Sequence, residues 1–175
     1  MSSLSVYHLS TPDTPNKVLT HLEDIASTLA EHGVRFERWQ AGAPIPAGAS
    51  DQELIGAYQR SIDALKVEKG YAGVEVTREA DASLLAEHTC EEDQLRFFAA
   101  GRGLFSLHIA DYIYAVLCEK GDLIGVPAGV RHWIDMGAEP RFVAIRLFNK
   151  TPAAVAHFTG AKIAEQFPGL EDCEM

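Results

Sequence analysis

The sequence predicts a mainly β protein, a barrel or sandwich with helices on its periphery. Three observations carry this. From residue 84 to residue 148 the chain breaks into short apolar segments at close spacing, each ended by a Gly-, Asp- or Pro-containing turn. Helical periodicity is confined to the first 70 residues and to the tail. The chain has 175 residues, 47% of them hydrophobic and 23% charged, enough to close one sizeable core.

Taken in order, residues 4–9 alternate loosely and suit a strand, and 11–15 form a Pro-containing loop. Residues 17–32 read as an amphipathic helix with Val18, Leu22, Ile25 and Leu29 on one face and Gly33 as its stop. Residues 34–41, with Phe36 and Trp39, return to an extended segment, and the Pro-, Gly- and Ala-rich stretch 42–49 is a loop. Ser50 followed by Glu53 is a capping box. The helix it opens carries Leu54, Tyr58, Ile62 and Leu65 and ends near Gly70. Residues 71–77 suit a strand. Beyond residue 84 the expected strands are 94–100, 104–110, 112–118, 123–127, 132–136 and 141–148, with Gly101-Arg102-Gly103 and Glu119-Lys120-Gly121-Asp122 as turns. The tail should add short helical pieces at 153–158 and 161–167. The expected organisation is a single domain over 1–175, with an α/β portion at 1–83, the β core at 84–150 and a tail at 151–175.

Composition excludes several classes of function. A formal net charge of −10 with no basic run disfavours nucleic acid and anionic membrane surfaces as partners. No apolar run approaches the roughly 20 residues of a membrane span, and no basic-then-apolar leader opens the chain, so the cytoplasm is the expected location. Cys90, Cys118 and Cys173 are odd in number and widely spaced, which argues against a disulfide framework. Cys118 ends an apolar run and reads as a small buried hydrophobe.

Chemistry concentrates in two stretches, 88–101 and 121–132. His88 and Cys90 are two residues apart, so on a strand they point the same way, and Gln94 and Arg96 share that parity. His132 follows about one hairpin pair downstream. Histidines converging from separate strands inside a small barrel make a metal-site geometry. His8, His21, His32, His108 and His157 lack such partners and read as surface or satisfied residues. Trp133 reads as core.

The spacing His88-x-Cys90-x3-Gln94-x6-Gly101 resembles the first cupin motif, and Gly121-x5-Pro127-x-Gly129-x2-His132 resembles the second. More narrowly, the chain resembles the acireductone dioxygenase family along nearly its whole length. The resemblance runs through residues 34–40 (VRFERWQ), 68–71 (EKGY), 96–98 (RFF), 103–105 (GLF), 116–120 (VLCEK), His132-Trp133, 135–137 (DMG) and 158–160 (FTG). It implies a cupin jelly-roll barrel. It further implies a methionine-salvage enzyme that holds Fe(II) or Ni(II) through three histidines and a glutamate and adds O2 to an enediol ketone chelated by the metal. It gives Arg96 the task of holding the bound substrate; the alternative for Arg96 is a structural ion pair.

Carried over position by position, His88 and His132 keep their ligand identity, Cys90 stands where the second histidine belongs, and Gln94 stands where the glutamate belongs. Leu84, Ile134 and Ala154 occupy places that are aromatic in bacterial members, and the segment before His88 is several residues short. A wider, less aromatic pocket is therefore expected. Neutral His with ionised Glu and thiolate Cys with neutral Gln each bring one negative charge, so the paired change conserves the charge around a divalent ion. The expected metal ligands are His88, Cys90, Gln94 and His132, with Fe(II) the first expectation and Ni(II) or Zn(II) the others. A softer thiolate donor leans toward Zn(II), Cu(I) or thiolate-bound iron. Gln94 can instead hydrogen-bond substrate or metal-bound water, and Glu92 is a candidate substitute carboxylate. The leading function is a dioxygenase or oxidase acting with O2 on a small metal-chelating substrate. The alternatives are a metal-free or zinc lyase, isomerase or hydrolase using Cys90 as nucleophile or acid/base group, or a non-catalytic small-molecule binding cupin. A monomer or small homo-oligomer is expected.

Overall fold

The computed structural model describes residues 2–46, 48–149 and 155–174. Twelve strands are described, in two antiparallel sheets. The larger sheet has the order β12 (Ala156–Phe158), β5 (His88–Cys90), β10 (Arg131–Asp135), β7 (Gly103–Ile109), β8 (Tyr112–Cys118), β1 (Ser3–His8), β2 (Lys17–Leu19). The smaller runs β3 (Arg35–Arg38), β9 (Asp122–Val126), β6 (Gln94–Ala100), β11 (Val143–Phe148), β4 (Gly73–Thr77). Residues before position 83 thus supply strands to both sheets. Among the described residues no helix is long and apolar enough to cross a membrane.

Strand alternation sorts the side chains into three layers. One core lies between the sheets and takes Val6, Phe98, Phe105, Val116, Ile124 and Ile134. A second lies outside the smaller sheet, where Leu95, Phe97 and Ile145 meet Leu54, Ile62 and Leu65 of the helices α2 (Asp51–Ala57) and α3 (Gln59–Lys69) and Tyr58 between them. Phe97 stacks on Trp39 at 4.7 Å and meets Tyr58 at 4.5 Å. A third, smaller cluster outside the larger sheet joins Trp133 to Tyr7, Ile113 and Phe167. Trp133 and Cys118 are core residues, as expected. On β6 this alternation turns Leu95 and Phe97 toward the helices and Gln94, Arg96 and Phe98 toward the space between the sheets, which is what places the site.

Local signals explain most elements. Ser50 accepts from the Glu53 amide while Glu53 accepts from the Ser50 amide, both at 3.2 Å, closing the capping box. Gly101, at φ 76°, turns the chain between β6 and β7; a Cβ there would fall 2.1 Å from the Arg141 carbonyl oxygen. Four segments differ from the periodicity. The helix expected over 17–32 begins only at Leu22 (α1, Leu22–Ala30), because residues 17–19 instead pair with the edge of β1, Leu19 opposite Leu4. The helix of residues 51–69 is interrupted at Tyr58, where φ is −112° and ψ 15°. Residues 156–158 form a strand on β5 rather than a helix, since β5 offers an open edge; residues 153–154 of that expected helix lie outside the described residues. The piece expected over 161–167 is a 3₁₀ turn, Ile163–Gln166.

Candidate metal centre

β5 and β10 are neighbours in register, with His88 directly opposite His132. Alternation turns His88, Cys90 and His132 to the inner face, where each is buried. One imidazole nitrogen from each histidine and the Cys90 sulfur lie within 4.8 Å of one another, a group of the size that can hold a metal ion. Among the described residues it is the one cluster of three His, Cys, Asp or Glu so placed.

Main-chain atoms aim both imidazoles. His88 Nδ1 donates to the Ala86 carbonyl and His132 Nδ1 to the Val130 carbonyl, each at 2.8 Å. A carbonyl can only accept, so the proton sits on Nδ1 and the Nε2 lone pair is left to the interior, the tautomer a metal needs. Burial lowers the pKa of His88, and that of His132 to about 4, against the opposing effect of these carbonyl bonds. Burial pushes the Cys90 thiol up, with Arg146 and Arg96 pulling the other way. Two neutral imidazoles and a thiol, all pointing to one locus, fit a divalent transition-metal ion.

A pH dependence of stability follows. Folded His132 takes up its proton only near pH 4, whereas in the unfolded chain it does so near pH 6.5. Between those values the unfolded state binds more protons, so the stability of the metal-free protein falls as pH drops. On the order of 2 kcal/mol of His132's contribution should be lost between pH 7.5 and pH 5. Urea unfolding at the two pH values is expected to show that loss in the wild type and to show it reduced by the same amount in His132→Asn. Equal losses in the two proteins would mean that His132 is not held neutral.

The three side chains open into a cavity of about 410 Å³ that Gln94, Arg96 and Arg146 also line. Gln94 Nε2 donates to the Glu92 carbonyl at 3.0 Å, which leaves its own carbonyl oxygen as the atom it can offer the cavity. Arg96 and Arg146 sit opposite each other on β6 and β11, and Glu75 of β4 sits opposite Arg146. Glu75 forms a salt bridge with Arg146. Arg96 has no carboxylate within ion-pair distance among the described residues, so the structural ion pair weighed for it is absent. Its guanidinium lies 5.8 Å from the centre of the Phe105 ring. Burial and the facing Arg146 lower its pKa to about 10, which keeps it charged at neutral pH.

Leu84 and Ile134 line the cavity as anticipated, but Phe105 and Phe158 line it too, so aromatic surface is retained from other positions. Ala154 lies outside the described residues. Glu92 does not belong to the ligand group; Glu91 is exposed and 3.4 Å from His157, and Asp93 accepts from the Ala128 amide. Arg146 was legible only by the parity of a strand whose pairing is remote in sequence. His108 is satisfied, as expected, but by Glu87, which nothing in the sequence singled out.

Residues 4–156 match the ARD/ARD' family. Acireductone dioxygenases of Pseudomonas syringae pv. syringae (strain B728a) and Pseudomonas fluorescens (strain Pf0-1) are 63% and 62% identical, each over 98% of this chain and 100% of their own length. The structure of an acireductone dioxygenase from Bacillus anthracis with a cadmium ion in its active center superimposes with a TM-score of 0.72 over 89% of this chain and 98% of that one. At 23% identity it speaks for the fold alone: a cupin barrel. With a matching family profile over most of its length and relatives this similar end to end, the chain belongs to the ARD/ARD' family of acireductone dioxygenases.

Proposed function

We propose that this protein is a metal-dependent dioxygenase that acts with O2 on a small, anionic, oxygen-chelating substrate of the acireductone type. His88, Cys90 and His132 hold the metal, and the Gln94 carbonyl either completes the set or binds the substrate. The observation that carries the reading is the convergence of three donor atoms within 4.8 Å, in a cavity that the Arg96 guanidinium, with no carboxylate at ion-pair distance among the described residues, also lines. The cadmium ion in the Bacillus anthracis relative supports a divalent cation at this place in the fold. Fe(II) is the ion we assign first, as the one suited to O2 chemistry on a mixed nitrogen–sulfur set, with Ni(II) and Zn(II) as competitors.

A divalent ion supplies Lewis-acid polarisation of the chelated oxygens. The chain's own residues do the rest. Arg96 places an uncompensated positive charge beside the substrate oxygens and stabilises negative charge that grows on them. Glu75 engages Arg146 and so confines the net positive charge to Arg96. The buried Phe105 and Ile134 present apolar surface that keeps water from the reacting end. The carbonyls of Ala86 and Val130 keep both imidazoles from turning.

Untagged protein purified without added metal is expected to contain close to one equivalent of a divalent transition metal, and oxygen uptake with an acireductone is expected to follow its loading. Less than about a tenth of an equivalent, with no uptake on reconstitution, would overturn the reading. Co(II) substitution isolates Cys90. A thiolate-to-cobalt charge-transfer band is expected in the wild type and is expected to vanish in Cys90→Ser; a spectrum without that band removes Cys90 from the ligand set.

A further inference from the structure

Behind the ligand strand lies a second buried cluster. Glu87, only 2% exposed, precedes His88 and points to the opposite face of the sheet. One carboxylate oxygen meets His108 Nδ1 at 2.6 Å and the other accepts from the Thr159 hydroxyl at 2.8 Å. The Thr159 amide also donates to the Glu87 carbonyl at 3.1 Å. The two side-chain partners come from opposite sides: His108 from β7, on the far side of β10, and Thr159 from just past the edge strand β12. β5 otherwise joins β10 through one register pair, His132 with His88, supplemented by the bond from the Gly129 amide to the Cys90 carbonyl. It pairs with β12 at three positions. β5 and β12 therefore form a flap that is well knit within itself and thinly laced to the barrel. That flap carries His88 and Cys90, and through Ala156 and Phe158 it walls the cavity; the Phe158 ring lies 5.7 Å from that of His88. A buried carboxylate is costly unless its oxygens are engaged; here the bond to His108 crosses from the flap to the barrel, and the bond from Thr159 ties the end of β12 to the start of β5 within the flap.

We propose that Glu87, His108 and Thr159 are positioning residues behind the β5–β12 flap, Glu87 with His108 clamping β5 to the barrel and Glu87 with Thr159 holding β12 to β5, and so fix the donors on β5 and the cavity wall on β12. The part that concerns metal retention rests on the ligand reading above; the clamp itself does not. Hydrogen exchange of the metal-free protein tests the clamp. Thr159→Val and Glu87→Gln are expected to speed exchange of amides in 155–160 by roughly tenfold or more, the scale of one lost charged hydrogen bond. Exchange of β7 and β8 should not change, and Thr159→Ser should restore protection. Unchanged exchange in both variants would overturn the clamp, as would a rise spread evenly over both sheets. Co(II) release to a chelator tests the consequence: it should quicken in Thr159→Val and Glu87→Gln and recover in Thr159→Ser. Faster flap exchange with unchanged Co(II) release would overturn the link to the donors. If the wild type binds no Co(II), the ligand reading fails while the exchange result still decides the clamp.

Discussion

Replacing Arg96 with methionine is expected to lower kcat/KM for an acireductone by about 10² to 10³, the loss typical when a preorganised donor to a developing oxyanion is removed. Methionine keeps an unbranched apolar stem and deletes the charge that lies over the Phe105 ring. Arg96 has no carboxylate partner among the described residues and faces a second guanidinium across the strand pair. Its charge is therefore an electrostatic burden in the resting protein. Stability and activity should consequently move in opposite directions: urea unfolding of Arg96→Met should show stability equal to or above the wild type, with metal content unchanged. Arg96→Lys keeps the charge but loses the planar fork, and should recover part of the rate. A fall of less than about threefold in kcat/KM for Arg96→Met, against the roughly hundredfold expected, would remove Arg96 from the reaction.

The second large effect concerns Cys90 and Gln94 together. Burial raises the Cys90 thiol above its ordinary range, so at neutral pH a metal must displace its proton. Metal affinity of the wild type should fall about tenfold for each pH unit from pH 8.5 down to pH 7. The double variant Cys90→His with Gln94→Glu offers donors that are already deprotonated over that range, because an imidazole titrates near 6.5 and a carboxylate near 4. Its affinity should be nearly flat there. The exchange of a soft thiolate for imidazole and carboxylate should also raise the ratio of Ni(II) to Zn(II) affinity by roughly tenfold or more. Chelator competition across that pH range reads both quantities. A wild-type profile as flat as that of the double variant would show that no proton is displaced and that the sulfur does not ligate.

Where local chemistry and burial agree, the sequence announces the structure. Ser50 with Glu53, Gly70 and Gly101 mark boundaries found within a residue or two, and the parity of His88, Cys90, Gln94 and Arg96 places all four around one cavity. Two of the four misread segments share a cause. Residues 17–19 and 156–158 carry no pattern that distinguishes an edge strand from a helix turn; each is fixed by a partner edge more than ten residues away. The same remoteness hid Arg146, whose meaning depends on facing Arg96, and Glu87, whose partners lie 21 and 72 positions along the chain. Pairs of that kind become visible only once the strand order is known.

The carbonyl bonds that aim His88 and His132 bear on how such a site changes over generations. Both supports are peptide oxygens, those of Ala86 and Val130, and no point substitution can delete a main-chain carbonyl. The rotation of each imidazole is thus set by main chain, while the placing of the strand that carries His88 still rests on side chains such as Glu87. At the other two proposed ligand places, 90 and 94, the residue can change while both histidines keep this orientation. In this chain those two positions hold cysteine and glutamine, beside two histidines whose orientation does not depend on which residues stand there.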